Sequence, residues 1–540
     1  MRLLLLAMLL LGLGCAAGCD KQQPVIPAEG KAAAPAYGDT FIQGSIGEPS
    51  NLLPVLASDS ASSDINSLVY NGLVRYDKNL KLEGELAESW EISPDGLTIT
   101  FQLRKGIKWH DGAPFTAADV LFTYQTYIDP NTPTAYAEAY SQVAEAAAPD
   151  DYTFRVRYAQ PYAPALESWG VSILPKHLLA GQDLTKSPLS RAPVGTGPYV
   201  FVEWTAGEKL VLEANPHYFE GQPYIKRVVY RIIPDLSTQF LELQSGGLDF
   251  MGLTPIQYQT QTDTPAFQRQ FNKYRYLAFG YTYLGYNLKR PMFQDRRVRQ
   301  ALAHALDKQE IIDGVLLGLG QAATGPYKPD TWVYNGEVPR YPYDPDKARA
   351  LMAEAGWRDS DGDGFLDKDG QAFSFTIVTN QGNDLRVKTG EIIQRRFKEV
   401  GIDVKLRVIE WASFLKEFIN PGNFDATILG WTGGPEPDQY DIWHSSKTGP
   451  RQLNFIQFKN AEVDELLEQG RRTFDQAERK KIYDRFQQIL AEEQPYTFLY
   501  VGEALPAVAR RFRGIEPAPA GIRHNFIKWY VPESEQKYQR

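Results

Sequence analysis

The segment Asp359-Ser360-Asp361-Gly362-Asp363-Gly364-Phe365-Leu366-Asp367 has the spacing of a cation-binding loop. Carboxylates fall at positions 1, 3, 5 and 9, the backbone carbonyl of Phe365 at 7, and glycine at 6 where the loop must turn sharply. Position 12 is Gly370 and not the bidentate Glu, so a structural calcium held by Asp359, Asp361, Asp363, Phe365 and Asp367 needs a further ligand from elsewhere. The other reading is a surface loop closed by Asx-turns. A second candidate is Gly430 to Tyr440, which follows a predicted strand, Phe424 to Leu429; a loop at a strand end can reach a cleft. It offers Trp431 and Tyr440 for stacking, Thr432 and Gly433 for close polar contact, and Asp438 as a charge, or alternatively as the cap of a helix starting near Gln439. Arg386, after the strand Phe373 to Val378, can fork onto a carboxylate with two parallel bonds, or lie solvated at a helix start. The six histidines are scattered, and no P-loop, HExxH, Ser-elbow or CxxC pattern is present. No cofactor is required by these patterns, and no enzyme is expected.

The elements that must position these residues begin after a leader. Arg2 precedes an apolar run, Leu3 to Leu13, and then small residues with the chain's two cysteines, Cys15 and Cys19. A run of this length is an export signal and too short for a span. A cysteine at the cut site resembles the lipobox of bacterial lipoproteins, which implies that Cys19 carries a lipid; the apolar-to-polar switch falls there, whereas Cys15 follows a bulky Leu13. An ordinary cut near Ala17 would leave an exposed thiol in an oxidising compartment. The expected organisation starts with a signal peptide, 1–18, and a flexible tether, 19–39, with a reach of about 25 Å. With a net charge of −9 the chain is not expected to bind nucleic acid. The aromatic content (30 Tyr, 27 Phe, 10 Trp) fits a large core or a cleft lined with rings.

Strand and helix signals then alternate. Pro94-Asp95-Gly96 between apolar strands predicts a hairpin. Thr116 with Asp119 predicts a capping box, as does Asp307 with Glu310, and Asp295 caps a helix carrying Val298, Ala301 and Leu302. A helix opens at Asp344-Pro345 and stops at Gly356; another spans about 385–400 and stops at Gly401.

Several segments in this order resemble the solute-binding lipoproteins of peptide-importing ABC transporters, the extracellular peptide- and nickel-binding group (family 5). They are Gly47-Glu48-Pro49-Ser50-Asn51-Leu52-Leu53-Pro54, the long run Leu86 to Val120, Gly195-Thr196-Gly197-Pro198-Tyr199, Leu284-Gly285-Tyr286-Asn287-Leu288 and Val298-Arg299-Gln300-Ala301-Leu302. The resemblance implies an α/β, two-lobed periplasmic-binding-protein type II fold with an additional subdomain inserted in the first lobe. On this chain lobe I would be 40–69, 186–285 and 495–540, the insert 70–185 and lobe II 286–494. The chain would cross between lobes at Tyr286-Asn287-Leu288 and Gln494-Pro495-Tyr496. It implies a monomer, exported and lipid-anchored to the cell membrane. There it would capture oligopeptides between the lobes and deliver them to ABC permease subunits. The same scaffold carrying a non-peptide solute (an oligosaccharide, an opine-like compound or a metal chelate) is the alternative. Glu48 and Asn51 resemble cleft-facing family positions, and Tyr286 and Asn287 are expected at the ligand. Related peptide binders carry an Asp close after the loop Trp to pair with the ligand's α-ammonium; here Gly433-Gly434-Pro435 stands there, with Glu436 or Asp438 as substitutes.

Overall fold

The computed structural model describes residues 34–538, so the expected leader, with Cys15 and Cys19, lies outside the described residues. Two seven-stranded sheets and a four-stranded sheet organise the chain. In the first, the parallel pair Gly38–Ser45 and Ile225–Ile232 is central, flanked by Lys209–Ala214 and Tyr199–Thr205 on one side and by Phe250–Gly252, Pro506–Ala509 and Phe271–Lys273 on the other. Its core gathers Phe41, Leu212, Val228, Met251, Val508 and Trp529. A buried triad knots the sheet: Arg511 donates to Asp249 at 2.8 Å and pairs with Asp39, joining segments far apart in the chain.

The second sheet carries Tyr496–Ala504, Gly280–Tyr286, Ala426–Thr432, Ser374–Asn380 and Asp403–Ile409 in that order. Ser374–Asn380, the helix Asp384–Glu399 and Asp403–Ile409 form a parallel crossover unit. Gly401, at φ +81°, ends that helix. Alternation along Gly280–Tyr286 sends Tyr281 and Tyr283 to one face and Leu284 and Tyr286 to the other, and each face has its own core. The four-stranded sheet, Ala87–Ile92, Thr98–Leu103, Thr153–Tyr158 and Val143–Asp150, packs with the helix Ala117–Ile128 around Phe101, Phe154 and Trp169. Local signals are realised here: the Pro94-Asp95-Gly96 hairpin forms, and Asp119 accepts from the Thr116 N–H at 2.9 Å. The box expected at Asp307 is half formed, because the Glu310 side chain turns to Arg395 and Arg396.

The crossings differ from the expected ones. Tyr286 and Tyr496 both lie deep in the second sheet, paired through Gly285. The chain passes between the sheets earlier and returns later, along an antiparallel ribbon in which Phe271–Leu277 faces Glu503–Ala509. The motif Tyr286-Asn287-Leu288 misled because it marks the end of a core strand. Asn287 there is 3% exposed and donates to the carbonyls of Gly422 and Phe424.

Candidate functional site

A cavity of about 800 Å³ lies between the two large sheets. One wall is the start of the helix Ser60–Val69, with Tyr136 of the inserted subdomain; the other is built from strand ends, helix starts and loops of the second lobe. No helix of the described residues is long and apolar enough to cross a membrane.

Arg386 is the wall's one cation among the described residues. Asn383 caps its helix by accepting the Arg386 N–H at 3.1 Å, which fixes the first turn toward the cavity. The guanidinium donates Nη1 to the neutral Asn380 Oδ1 at 2.7 Å, while Nε has no partner among the described residues. Burial lowers its pKa, against the pull of Tyr500 and Tyr283. Gly430 packs beside it: a Cβ there would stand 2.9 Å from the Tyr281 carbonyl oxygen and 3.0 Å from Arg386 Nη2.

Trp431 and Thr432 end the strand Ala426–Thr432, and Trp431 lies over Phe455 at 5.7 Å and donates to Tyr496 at 3.3 Å. Gly433 donates to the Phe279 carbonyl at 2.9 Å, carrying the loop along the ribbon side. The loop's acids are already taken. Asp438 accepts a fork from Arg471, with Nε–Oδ2 at 2.9 Å and Nη2–Oδ2 at 2.7 Å, and also the Tyr440 N–H at 3.2 Å. Asp438 stands one residue before Gln439, the cap residue of the short helix Tyr440–Trp443, which has no side-chain cap bond, so the ion pair with Arg471 replaces the expected cap. Glu436 pairs with Arg479; burial raises its pKa and Arg479 pulls it back. Asp441 lies 3.4 Å from Lys447, and burial pushes it up to about 6.

Among the described residues, five buried polar atoms on side chains that line the cavity have no hydrogen-bond partner, Tyr281 OH, Arg386 Nε, Trp411 Nε1, Gln439 Oε1 and Gln452 Oε1, and Asp441 Oδ1 has only the ion pair with Lys447. Buried donors and acceptors are costly unless matched. Both donors and acceptors occur among them. No histidine or cysteine lines the cavity among the described residues, and the wall presents no nucleophile–base pair.

Residues 81–452 match a family described as the bacterial extracellular solute-binding proteins, family 5, over its middle portion. The chain belongs to this family. The oligopeptide-binding protein AppA of Bacillus subtilis is 38% identical over 519 residues, 93% of this chain and 94% of its own. The AppA structure, solved in complex with a nonapeptide, matches with TM-score 0.88 at 36% identity, covering 92% and 100% of the two chains. NikZ from Campylobacter jejuni, solved in complex with Ni(L-His), matches with TM-score 0.83 at 28% identity, covering 91% and 99%. The α/β two-lobed fold implied by the sequence motifs is the fold of this family-5 chain.

Of the residues expected at a ligand, Arg386, Trp431, Thr432, Gly433 and Asp438 come together on the cavity wall. The others do scaffold work. Glu48 accepts from Trp204 Nε1 at 3.0 Å and the Gly207 N–H at 2.8 Å, tying the first loop to a hairpin. Asn51 closes a turn onto the Leu53 N–H at 2.8 Å. Tyr286 shares a 2.8 Å bond with Thr497 inside the core, and Asn287 pins a loop. Tyr440 is buried between His444, stacked at 4.0 Å, and the Arg471 guanidinium at 3.8 Å. Trp411, Phe455, Tyr281 and Asp59 line the cavity and were missed; Asp59, as the cap of the helix Ser60–Val69, carried the only local signal.

In the acidic loop, single carboxylate oxygens of Asp359, Asp361 and Asp363 lie within 4.8 Å of one another. Both Asp359 oxygens accept backbone N–H groups, from Gly362 and Gly364, and Asp367 bonds Ser360 at 2.8 and 2.7 Å. The loop is thus closed by its own Asx-type hydrogen bonds.

Proposed function

We propose that this protein is the substrate-binding component of an ABC importer, capturing oligopeptides in the interlobe cavity and handing them to membrane permease subunits, without catalysing a reaction. The observation that carries this is the cavity itself, with one arginine suited to a carboxylate and aromatic walls at Trp411, Trp431 and Phe455. That AppA, a family-5 relative, was solved around a nonapeptide supports the same choice of ligand. The ribbon joining the lobes suits closure on the ligand, which gives the permease a distinct closed form to read. The reading includes export, a lipid on Cys19 that anchors the chain to the cell membrane facing the periplasm or exterior, and a monomeric state.

Native mass spectrometry of protein purified without denaturation tests the ligand class, with thermal-shift panels of peptides, oligosaccharides, opine-like compounds and metal chelates. Peptide adducts, and a Tm rise of about several degrees with peptides alone, are expected. A rise with oligosaccharides or chelates and none with peptides overturns it. For the anchor, Cys19→Ser should move the protein from the membrane fraction to the soluble one.

A further inference from the structure

The two walls of the cavity differ in chemistry. The first lobe contributes Ser58, Asp59, Ser60, Ser63 and Asp64, all hydroxyls or carboxylates, with Tyr136 of the insert beside them. Every leucine and isoleucine of the cavity comes from the second lobe. There a π-helix, Phe414–Ile419, sets Leu415 and Ile419 about one turn apart, in one packed cluster with Trp411, Trp431 and Phe455. Leu415, Trp411 and Trp431 are only half-buried in that cluster and line the cavity. The charges divide in the same sense. Each acid of the second lobe at the cavity has a cation of the chain: Glu436 has Arg479, Asp438 has Arg471, Asp441 has Lys447 and Glu503 has Arg275. Asp59 accepts hydrogen bonds from Ser62 and Ser50, and Asp64 is attracted by Arg523 from beyond ion-pair distance. Among the described residues neither has an ion pair, so the wall of the first lobe is negative.

An extended chain sends successive side chains to opposite sides, with a period of two. Between these walls it turns one set toward Leu415, Ile419 and Trp431, and the other toward the serines, Asp59 and Asp64. Gly47 of the first lobe comes so close to Trp411 that a Cβ there would stand 3.0 Å from it, so closure holds the two walls at one spacing. A large apolar side chain buried on the second lobe gains about tenfold or more in affinity. On the opposite wall it covers hydroxyls and carboxylates and leaves them without water. An acidic side chain there meets like charge, and a basic one meets its complement. We infer that the cleft reads the order of residues in its ligand: it selects extended peptides with bulky apolar side chains at alternate positions, and with small polar or basic side chains, never acidic ones, between them. The inference rests on the peptide reading above and narrows it to a sequence pattern.

The test is a matched set of nonapeptides of one composition, Leu and Ser in strict alternation or the same residues in two blocks, titrated against the whole protein by calorimetry. The alternating peptide should bind about tenfold tighter or more, because a block turns about half of its leucines toward the hydroxyl wall. Lys in place of a central Ser of the alternating peptide should tighten binding about threefold, and Glu there should weaken it about as much. Leu415→Ser should shrink the gap between alternating and blocked peptides, and Asp64→Asn the gap between Lys and Glu peptides. Alternating and blocked peptides that bind the wild type within about threefold of each other, or a Glu peptide that binds tighter than the Lys one, overturn the inference and leave the peptide reading intact. Gaps unchanged in both variants overturn the assignment to these walls. If none of the set binds while a random-sequence nonapeptide pool does, the inference alone falls; if the pool fails as well, both fall. The comparison on the wild type needs no variant to fold.

Discussion

Glu138 of the inserted subdomain reaches across the cleft mouth into the second lobe. Its carboxylate lies 3.2 Å from Lys447 Nζ and 3.8 Å from an Arg471 nitrogen, with the cations nearly buried and Glu138 about one-fifth exposed. Parting the lobes breaks this contact, so it belongs to the closed form, while each cation keeps a carboxylate of its own lobe. At an effective dielectric of about 20, each separation corresponds to roughly 4–5 kcal/mol of attraction. Both cations already serve Asp438 and Asp441, and closing strips water from all of them. The net worth is nearer the lower range of interfacial charge pairs, about 1.5 kcal/mol. Glu138→Gln is therefore expected to weaken ligand binding about tenfold, through faster dissociation, with little change in the thermal stability of ligand-free protein. Stopped-flow dissociation and calorimetry read this directly. A double-mutant cycle with Lys447→Met isolates the pair and should show coupling of about 1 kcal/mol or more. Coupling within about 0.3 kcal/mol of zero, or a Kd within twofold of the wild type, would refute the reasoning that this pair holds the lobes shut.

Glu167, on the same face of the insert, is pushed up to about 8 by burial and then by the charge of Glu436 across the cleft, against a hydrogen bond from Tyr76. Its proton favours the closed form: the gain is full below about 4.5 and lost as pH rises through about 8, so an amine-capped peptide should bind severalfold tighter at pH 6 than at pH 9. Glu167→Gln should flatten that profile, and a profile that keeps its slope counts against the assignment. Arg511→Met should cost about 3–5 kcal/mol in urea unfolding, since it leaves Asp39 and Asp249 buried without a cation; a loss below about 1 kcal/mol would show that the triad adds little. For the acidic loop we propose that calcium is dispensable. A chelator should then move Tm by less than about 1 °C, and a drop of several degrees would mean that the loop is a true structural site.

The legible parts of this chain were those encoded within a few residues. Asp-Gly at 95–96 closes its hairpin, Asp344 starts a helix, and Gly401 stops one, because turns and caps depend on backbone groups two to four positions away. Arg386 and the loop after Trp431 could be found for the same reason: both follow the end of a strand in a parallel crossover sheet, where loops gather at one edge. Glu48 and Asn51 could not be assigned this way. A polar loop residue bonds whatever the fold brings to it, and for Glu48 that was a hairpin 156 positions away.

Which elements form, where they stop and what family they compose were determined by the sequence alone, through local hydrogen bonding and the order of specific motifs. Which side chains face the cavity, and what charge they carry there, was decided only by tertiary structure. Asp438 and Glu436 look like free acids in the sequence, yet Arg471 and Arg479, 33 and 43 positions away, neutralise them. Glu138 meets Lys447 across 309. Electrostatic attraction acts through space at a few ångströms and is indifferent to chain separation, so the charge balance of the cleft exists only once the lobes are folded and brought together.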